Sequence, residues 1–343
     1  MSTATVYPIR SPSWVLLYQG VNITADVSRM VLSISYVDEL GGRAGELEIE
    51  LEDRERRWQA AWFPQQGDAV SLLLGYGGEP LLACGDFQVD ELELQGPPDV
   101  FHLRCLPAWI TPPLRTRNSL GYEGQTLAQI AATVAGRHGM SVVGAPEALE
   151  SAYLRVTQKQ ETDLEFLHRL AREHDYEFTV CGTQIVFYPR PALDSQPAVL
   201  TLARSDVMSF DFVSKTHRIY RAAQASYFDP TSKQLYTQTA EAEPAVAVGD
   251  ELKLVVRCEN GQQARERAIS ALHDTNRLLV TGHLSAPGAT RLVAGNNVAL
   301  SGWGAMDGTY MIERAHHRLA RATGYVTEID VRRVNAAPVP QLA

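Results

Sequence analysis

The sequence predicts a mainly β protein that carries a small α/β unit in its middle. In the first hundred residues, several short runs alternate apolar and polar side chains, which is the periodicity of a half-buried strand. Between residues 113 and 197 the apolar residues recur at helical spacing, and alternation returns after Ala198. Short strands separated by turn residues favour an antiparallel sandwich or barrel over repeated βαβ units. We therefore expect two β domains on either side of an α+β insert.

Residues 1–112 form the first predicted β domain. Its alternating runs are, in chain order, VLSISYV, ELEIEL, VSLLLGY, FQVDELEL and VFHLRCL. Glycine and proline residues separate these runs, as expected where a chain turns between strands. Residues 53–62, DRERRWQAAW, are predicted to form a short helix between two of the strands. The prolines of PAWITPPLRTRN break regular structure and set the domain boundary near Pro112.

Residues 113–197 are predicted to form an α/β domain of two helices and a hairpin. The first helix, TLAQIAATVAGRHGM, has its apolar residues on one face and Gly139 at its expected end. The second helix, TDLEFLHRLAREHDY, begins with a capping box, in which Thr162 and Glu165 satisfy each other's free backbone N–H groups. The hairpin YEFTV and QIVFYP follows, and the proline-rich PRPALDSQP ends the domain.

Residues 198–335 form the second predicted β domain, which includes one helix, QQARERAISALHDTNRLL. Its strands are expected near residues 207–213, 219–228, 235–239 and 252–257 and in the closing runs NVALSG, GTYMIERAHHRL and GYVTEIDVRRV. Residues 336–343 are predicted to be a flexible tail. The sequence shows no clear internal repeat, although two diverged barrels would escape detection by inspection.

The stretch GELEIELED alternates glutamates with aliphatic residues. The acidic positions are Glu46, Glu48, Glu50 and Glu52. Successive side chains of a strand point to opposite faces, so the pattern predicts one core face and one acidic face. A regular strand provides neither the cleft between two glycosidase carboxylates nor the tight turn of a calcium loop. The acidic face is therefore interpreted either as a solvated strand face or as a face that lines something.

The composition disfavours several classes of function. The net charge of -9 argues against sequence-specific binding of nucleic acid, which requires clustered Lys and Arg. No apolar run has the length of about 18 residues that a membrane-spanning helix needs. The N-terminus lacks the features of a signal peptide, so secretion by that route is not expected. The four cysteines are scattered without a CxxC pair, which predicts reduced thiols.

No motif of an enzyme, a cofactor site or a metal site is present. The sequence contains no GxSxG or HExxH motif and no phosphate-binding loop of the required spacing. His168 and His174 are six residues apart and do not share a helix face as metal ligands would. His174 is interpreted as a residue that interacts with the helix dipole. His316 and His317 are neighbours on a predicted strand and should point to opposite faces.

Two segments carry a resemblance to a known family. The first comprises TLAQIAATVAGRHGM and QKQETDLEFLHRLAREHDYEFTVCGTQIVFYP. The second comprises ARERAISAL and GHLSAPGATRLVAGNNVALSGWGAMDGTYMIERAHHRLARATGYVTEIDV. In this order and spacing, the chain from Met30 to Val334 resembles the late control gene D protein family. These are baseplate hub proteins of contractile phage tails and are similar to the hub part of type VI secretion spike proteins.

The resemblance implies a fold, an assembly and a set of partners. The fold would be two tube-protein-like antiparallel β-barrels that flank the small α/β domain. The assembly would be a homotrimer with pseudo-sixfold symmetry, which adapts the hexameric tail tube protein to a trimeric spike protein. The tape measure protein and other baseplate proteins would be further partners. The chain would belong to the tail baseplate of a virion or particle that assembles in the bacterial host cytoplasm.

Two departures from the type VI proteins shape these expectations. The chain ends soon after Val334 without a β-helical needle, so the spike is expected to be a separate polypeptide. No lysozyme-like module is expected either. The acidic face of Glu46, Glu48, Glu50 and Glu52 would line the hub channel or meet a neighbouring subunit. Asp90, Glu91 and Glu93 are expected to extend its electrostatics, since a wall of like charge repels DNA or an acidic protein.

Two other functions are alternatives, a cell-wall-degrading protein and a glycan-binding tail-tip protein. Tryptophans can stack on sugars, and the chain has five, Trp14, Trp58, Trp62, Trp109 and Trp303. Large aromatic residues more commonly anchor cores and interfaces, so that role is preferred for all five.

Overall fold

A computed structural model describes residues 10–41, 45–109, 112–144, 152–229, 233–242, 249–255, 258 and 260–334. Strands dominate this part of the chain, so the prediction of a mainly β protein with an α+β insert is confirmed. The predicted flexible tail lies outside the described residues. Among the helices within them, none combines the length and the apolar character needed to cross a membrane.

The first β module encloses its own hydrophobic core. Its elements are β1 (Pro12–Tyr18), β2 (Val21–Asn22), α1 (Thr24–Val27), β3 (Val31–Glu39), β4 (Glu46–Glu52), β5 (Ala69–Tyr76), β6 (Leu82–Gln95) and β7 (Val100–Pro107). The core includes Ile34, Leu47, Ile49, Leu51 and Phe101. These residues come from the apolar positions of the alternating runs, because a strand buries every second side chain.

Residues 53–62 form turns, so the prediction of a short helix there is wrong. Arg56 has a φ of 53°, which lies outside the range of an α-helix. The Asp53 carboxylate accepts a hydrogen bond from the backbone N–H of Trp58 at 3.1 Å. The Trp58 ring stacks on Phe101, with ring centroids 5.9 Å apart. Tertiary packing of one aromatic residue therefore overrides the local helix pattern.

The middle unit contains both predicted helices and the predicted hairpin. Its elements are α2 (Pro112–Arg115), β8 (Arg117–Gln125), α3 (Leu127–Arg137), β9 (Ser141–Gly144), β10 (Tyr153–Thr162), α4 (Asp163–Glu173), β11 (Tyr176–Cys181), β12 (Gln184–Pro189) and α5 (Arg190–Asp194). The capping box is present, with hydrogen bonds of 3.1 Å and 2.8 Å between Thr162 and Glu165. The β8–β10 ribbon and the parallel pairing of β9 with β12 were not predicted.

The last segment contains a second β module and a smaller unit. Its elements are β13 (Leu200–Ala203), β14 (Ser209–Ser214), β15 (Tyr220–Asp229), β16 (Gln234–Glu241), β17 (Asp250–Val255), α6 (Gly261–Asn276), β18 (Val280–Pro287), β19 (Asn297–Ser301), β20 (Gly308–Ala320) and β21 (Gly324–Arg333). The helix α6 packs on the sheet β16-β15-β17, with Ala223, Ala225, Ala264 and Ala268 between them. The module itself encloses a separate core that includes Tyr310 and Ile329.

The two β modules share one sheet. Its strand order is β14-β18-β21-β20-β3-β4-β7-β6-β5-β1-β2, and β19 and β13 branch from β20. The pairing of β20 with β3 joins the second module to the first, from Arg314 opposite Glu39 to Ala320 opposite Ser33. Within the described residues this sheet is open, and neither module forms a closed barrel.

The core of the first module gives a direct test of the assigned strand faces. Leu47 is fully buried, so Leu47→Ala should lower the free energy of unfolding by about 2–5 kcal/mol. The neighbouring Glu48 is exposed on the other face, and Glu48→Ala should change it by less than about 1 kcal/mol. Chemical denaturation of both variants checks this, and equal effects would contradict the assignment.

Candidate functional site

The four predicted glutamates lie on one face of β4. Leu47, Ile49 and Leu51, which alternate with them, are at most 2% exposed. The predicted alternation of an acidic face and a core face is therefore confirmed. Because β4 pairs with β3 on one side and with β7 on the other, the acidic row crosses the middle of the sheet.

Arg104 on β7 partly neutralises this row. It lies opposite Glu48 and forms ion pairs with Glu46 and, at 3.3 Å between Nε and Oε1, with Glu48. Its Nη1 is also 3.4 Å from Oε2 of Glu91 on β6. The hydrogen bond to Glu46 raises the pKa of Arg104 above its ordinary value. Since one guanidinium faces three carboxylates, the cluster retains negative charge.

The remaining two glutamates have separate partners. Glu50 accepts a hydrogen bond from the Ser33 hydroxyl at 2.7 Å, and its carboxylate lies 3.9 Å from Nδ1 of His102. Glu52 accepts a hydrogen bond from Nε of Arg54 at 2.6 Å. The row is therefore a partly paired polar surface and not a line of isolated charges.

The acidic residues of β6 are divided by a β-bulge between Val89 and Glu91. Glu91 and Glu93 lie opposite Arg104 and His102, on the same face as the β4 glutamates. The prediction that Glu91 and Glu93 extend the acidic face is borne out by this register. Asp90 lies at the bulge, where its carboxylate is 4.0 Å from Nη1 of Arg115.

The polar face continues across the junction into the second module. His316 on β20 lies 2.8 Å from the Ser35 hydroxyl through Nε2 and 3.3 Å from the Glu328 carboxylate through Nδ1. Arg314 lies 3.3 Å from Glu39. These contacts connect β21, β20 and β3 on the face that carries the glutamates. We refer to the polar side of the strands from β14 to β6 as the polar sheet face.

The histidines considered in the sequence analysis pack against or contact other side chains of the fold. His316 and His317 point to opposite faces, as predicted, and burial lowers the pKa of the core residue His317 to about 4. His174 is the C-cap of α4 and lies 2.7 Å from the Tyr153 hydroxyl, and burial lowers its pKa. Its interaction with the helix dipole stays a prediction. Among the described residues, no three His, Cys, Asp or Glu side chains are grouped to hold a metal ion.

The tryptophans belong to the hydrophobic cores. Trp58 is buried in the first core, and Trp14 and Trp62 pack against it. Trp109 packs against the core of the middle unit, and Trp303 packs against the core of the second module. Trp58 and Trp62 also line an apolar cavity of about 410 Å³ in the first module. The predicted role as core anchors is therefore confirmed.

A buried ionic network joins the middle unit to α6, and no sequence pattern predicted it. Arg190, which is 5% exposed, lies 3.2 Å from Glu177 and 2.5 Å from Asp274. Asp274 also lies 2.6 Å from Arg172 on α4. Residues from β11, α4, α5 and α6 therefore meet at one set of charges, which fixes the orientation of the middle unit relative to α6.

The charges of this network stabilise one another. Burial alone would raise the pKa of Glu177, but the hydrogen bond from His168 and the charges of Arg190 and Arg277 outweigh it and lower the pKa. Burial likewise opposes the charged form of Arg190, and the surrounding carboxylates outweigh it. One local signal was available in the sequence. Asp274 lies in the last turn of α6, where a carboxylate is unfavourable unless a cation is near.

Comparisons with known proteins agree on one class of protein. A family model described as phage tail baseplate hub matches residues 100–323, more than half of the chain. A probable baseplate hub protein of Escherichia phage 186 is 28% identical over 232 residues, which are 66% of this chain and 57% of that protein. The chain therefore spans less than two thirds of the length of this curated relative.

Solved structures show the same fold. The 43 kDa tail protein of prophage MuSo2 from Shewanella oneidensis has a TM-score of 0.71 at 15% identity, over 95% of this chain and 99% of that one. An E. coli component of the type VI secretion system has a TM-score of 0.57 at 14% identity, over 95% of this chain and 80% of that one. Similarity at these identities establishes a shared architecture.

The buried network should be costly to break. Arg190→Ala removes the cation that Glu177 and Asp274 share with Asp175, which lies 3.7 Å from Arg190. It should lower the free energy of unfolding by about 3–5 kcal/mol. The control Arg221→Ala removes an exposed pair with Glu251 at 2.8 Å and should cost less than about 1 kcal/mol. Urea denaturation measures both, and similar small losses would show that the network does not hold the units together.

The pair of His273 and Asp175 should make stability depend on pH. Nδ1 of His273 donates a hydrogen bond to the Asp175 carboxylate at 2.7 Å, and this bond raises the pKa of His273. Its stabilising contribution is complete below the ordinary histidine pKa of about 6.5 and is lost as the pH rises through the raised value. The difference in Tm between the wild type and His273→Gln should therefore shrink between about pH 5.5 and about pH 8.5. A difference that grows with pH would contradict the assigned pair.

Proposed function

The chain belongs to the phage tail baseplate hub family, and we propose on this premise that it is the structural hub of a contractile phage tail or phage-tail-like particle. The hub is a homotrimer with pseudo-sixfold symmetry. It adapts the hexameric tail tube protein on one side to a trimeric spike protein on the other. The tape measure protein and other baseplate proteins are its further partners, and assembly takes place in the host cytoplasm.

One observation carries this proposal: two β modules of the same chain lie side by side in one sheet. Three chains therefore supply six module positions around one axis, while the chains themselves keep threefold symmetry. A ring of this kind can match a hexamer with its modules and a trimer with its chains. The work of such a protein is the burial of large interfaces, which commonly exceed about 2,000 Å² in obligate assemblies.

Each part of the chain has a place in this scheme. Residues 1–112 and 198–335 are the two tube-like barrels of the ring, completed where necessary by neighbouring chains. Residues 113–197 are the inserted α/β domain at the periphery or on the spike side. The network around Arg190 supports this division, since it holds the insert against α6 in one orientation.

The polar sheet face lines the channel of the ring in this proposal. Its acidic residues outnumber the cations that pair with them, as the cluster around Arg104 illustrates. A wall of retained negative charge repels a phosphate backbone or an acidic protein and keeps passing cargo from adhering. The proposed role is structural and includes no catalytic step. The alternatives of a cell-wall-degrading or glycan-binding protein receive no support from the similarities found.

Charge reversal tests the channel proposal. Glu48→Lys combined with Glu50→Lys places cations on the wall, so delivery by the particle should fall about tenfold or more while particles still assemble. The matched control reverses two exposed charges away from this face, Glu79→Lys and Glu251→Lys. Particles are counted by electron microscopy and delivery by plating or killing of host cells. Normal assembly with unchanged delivery would remove the channel proposal.

A further inference from the structure

The two β modules repeat one strand plan. In chain order, β3, β4, β5, β6 and β7 correspond to β14, β18, β19, β20 and β21. The repeat does not include the first strands, because β1 pairs antiparallel with β5 and β13 pairs parallel with β19. The strand β6 pairs with β5 through its first half and with β7 through its second half. In the same way, β20 pairs first with β19 and then with β21. Both long strands carry a bulge, between Val89 and Glu91 and between Ile312 and Arg314.

The repeat can be followed residue by residue. Counting from the two bulges, Glu91 corresponds to Arg314 and Glu93 to His316, all on the polar sheet face. The pairing of each module's strands then matches β14 with β3, so that Phe212 corresponds to Tyr36. Corresponding positions of the two modules share their polarity but carry different residue types, which explains why the sequence shows no repeat.

The junction inside the chain provides a template. Along one edge, β20 pairs first with β19 and then with β3. In that junction Arg314 lies opposite Glu39, at 3.3 Å, and His317 lies opposite Tyr36 with stacked rings. By the repeat, the second half of β6 should pair in the same way with a strand equivalent to β3. The equivalent strand is β14.

Both of these edges are open within the described part of the chain. Residues 91–95 of β6 pair with β7 alone, and β14 pairs with β18 alone. The edges also expose apolar side chains, since Leu94 is 48%, Phe210 is 37% and Val213 is 50% exposed. An open strand edge with exposed apolar residues is a template for a strand of another chain. Within one chain the two edges lie at opposite ends of an eight-strand arc and do not pair with each other.

We propose that β14 of one copy pairs antiparallel with residues 91–95 of β6 in the next copy, so that the β20–β3 junction is repeated between chains. This inference rests on the proposed hub function and names the surface through which the copies assemble. The repeat fixes the register, with Glu93 opposite Val213 and Leu94 opposite Phe212. Glu91 falls opposite Lys215, which reverses the polarity of the Arg314–Glu39 pair.

The geometry of the sheet is compatible with a closed ring. The eight strands from β14 to β6 are all antiparallel to their neighbours, so the two edge strands run in opposite directions. Rotation about an axis along the strands keeps these directions, and β14 therefore meets β6 of the next copy antiparallel. The contact joins one surface of each copy to a different surface of the next copy. Repeated contacts of this kind form a closed ring when the repeated rotation returns to the first copy. Phe212 of one copy then lies beside Leu94 of the next on the core side of the sheet, so the apolar side continues from copy to copy.

Engineered disulfides test the register in assembled particles. The pair Glu93→Cys and Val213→Cys, made in a Cys181→Ser background that removes the exposed thiol, should form covalent hub dimers and trimers on oxidation. Directly opposite residues bring Cβ atoms within about 5.5 Å, close to the disulfide range. The matched control, Glu93→Cys with Asp211→Cys, shifts one thiol along the same face to a diagonal distance of about 7–8 Å. We expect at least about tenfold more covalent product from the matched pair.

Charge exchange gives a second readout at Glu91 and Lys215. Glu91→Lys alone and Lys215→Glu alone place like charges opposite each other, so hub incorporation into particles should fall about twofold to fivefold. The double exchange should restore it, whereas Glu251→Lys should have no effect. Equal cross-linking of the matched and shifted cysteine pairs, or no rescue by the double exchange, would overturn the edge pairing. If the purified particles still contain the hub in that case, the proposed function stands. Absence of the wild-type chain from purified particles would overturn both.

Discussion

The antiparallel pairing of β20 with β3 is the constraint on which the rest of the structure depends. It joins seven positions, from Arg314 opposite Glu39 to Ala320 opposite Ser33. A slip by one residue would exchange the core and polar faces of a whole strand, so the pairing also fixes which side of each module is polar. On the polar side the register is held by the Arg314–Glu39 ion pair, and on the core side by the stacked rings of Tyr36 and His317.

The middle unit is attached by a different kind of interaction. No strand pairing connects its described residues to the shared sheet, and charged groups at the Arg190 network hold it against α6 instead. Buried ion pairs contribute little net stability, because desolvation offsets much of their attraction, but they accept very few geometries. The β modules are thus joined by backbone hydrogen bonds, and the insert is oriented by a few specific side chains.

Local patterns in the sequence predicted the elements whose causes are local. The alternation around Leu47 and Ile49 and the capping box of Thr162 and Glu165 depend on neighbours within a few residues, and the structure contains both. The helix predicted over residues 53–62 failed because Trp58 packs into a core that the local sequence does not describe.

Local sequence patterns did not predict the features that depend on residues far apart in the chain. The ion pair between Arg172 and Asp274 joins residues 102 positions apart, and neither residue has a sequence signal for the other. The repeat of the two modules is hidden for a related reason. A strand constrains which face is polar but not which polar residue stands there, so glutamate at one position can correspond to arginine at the other.

A cryo-electron microscopy reconstruction of the tail tip of an assembled particle, at a resolution that shows side chains, tests the central claim most directly. We expect three copies of this chain around the axis, with the β20–β3 junction in the channel wall and Glu48 and His316 facing the lumen. A single copy of the chain, or a ring in which this junction faces outward, would contradict it.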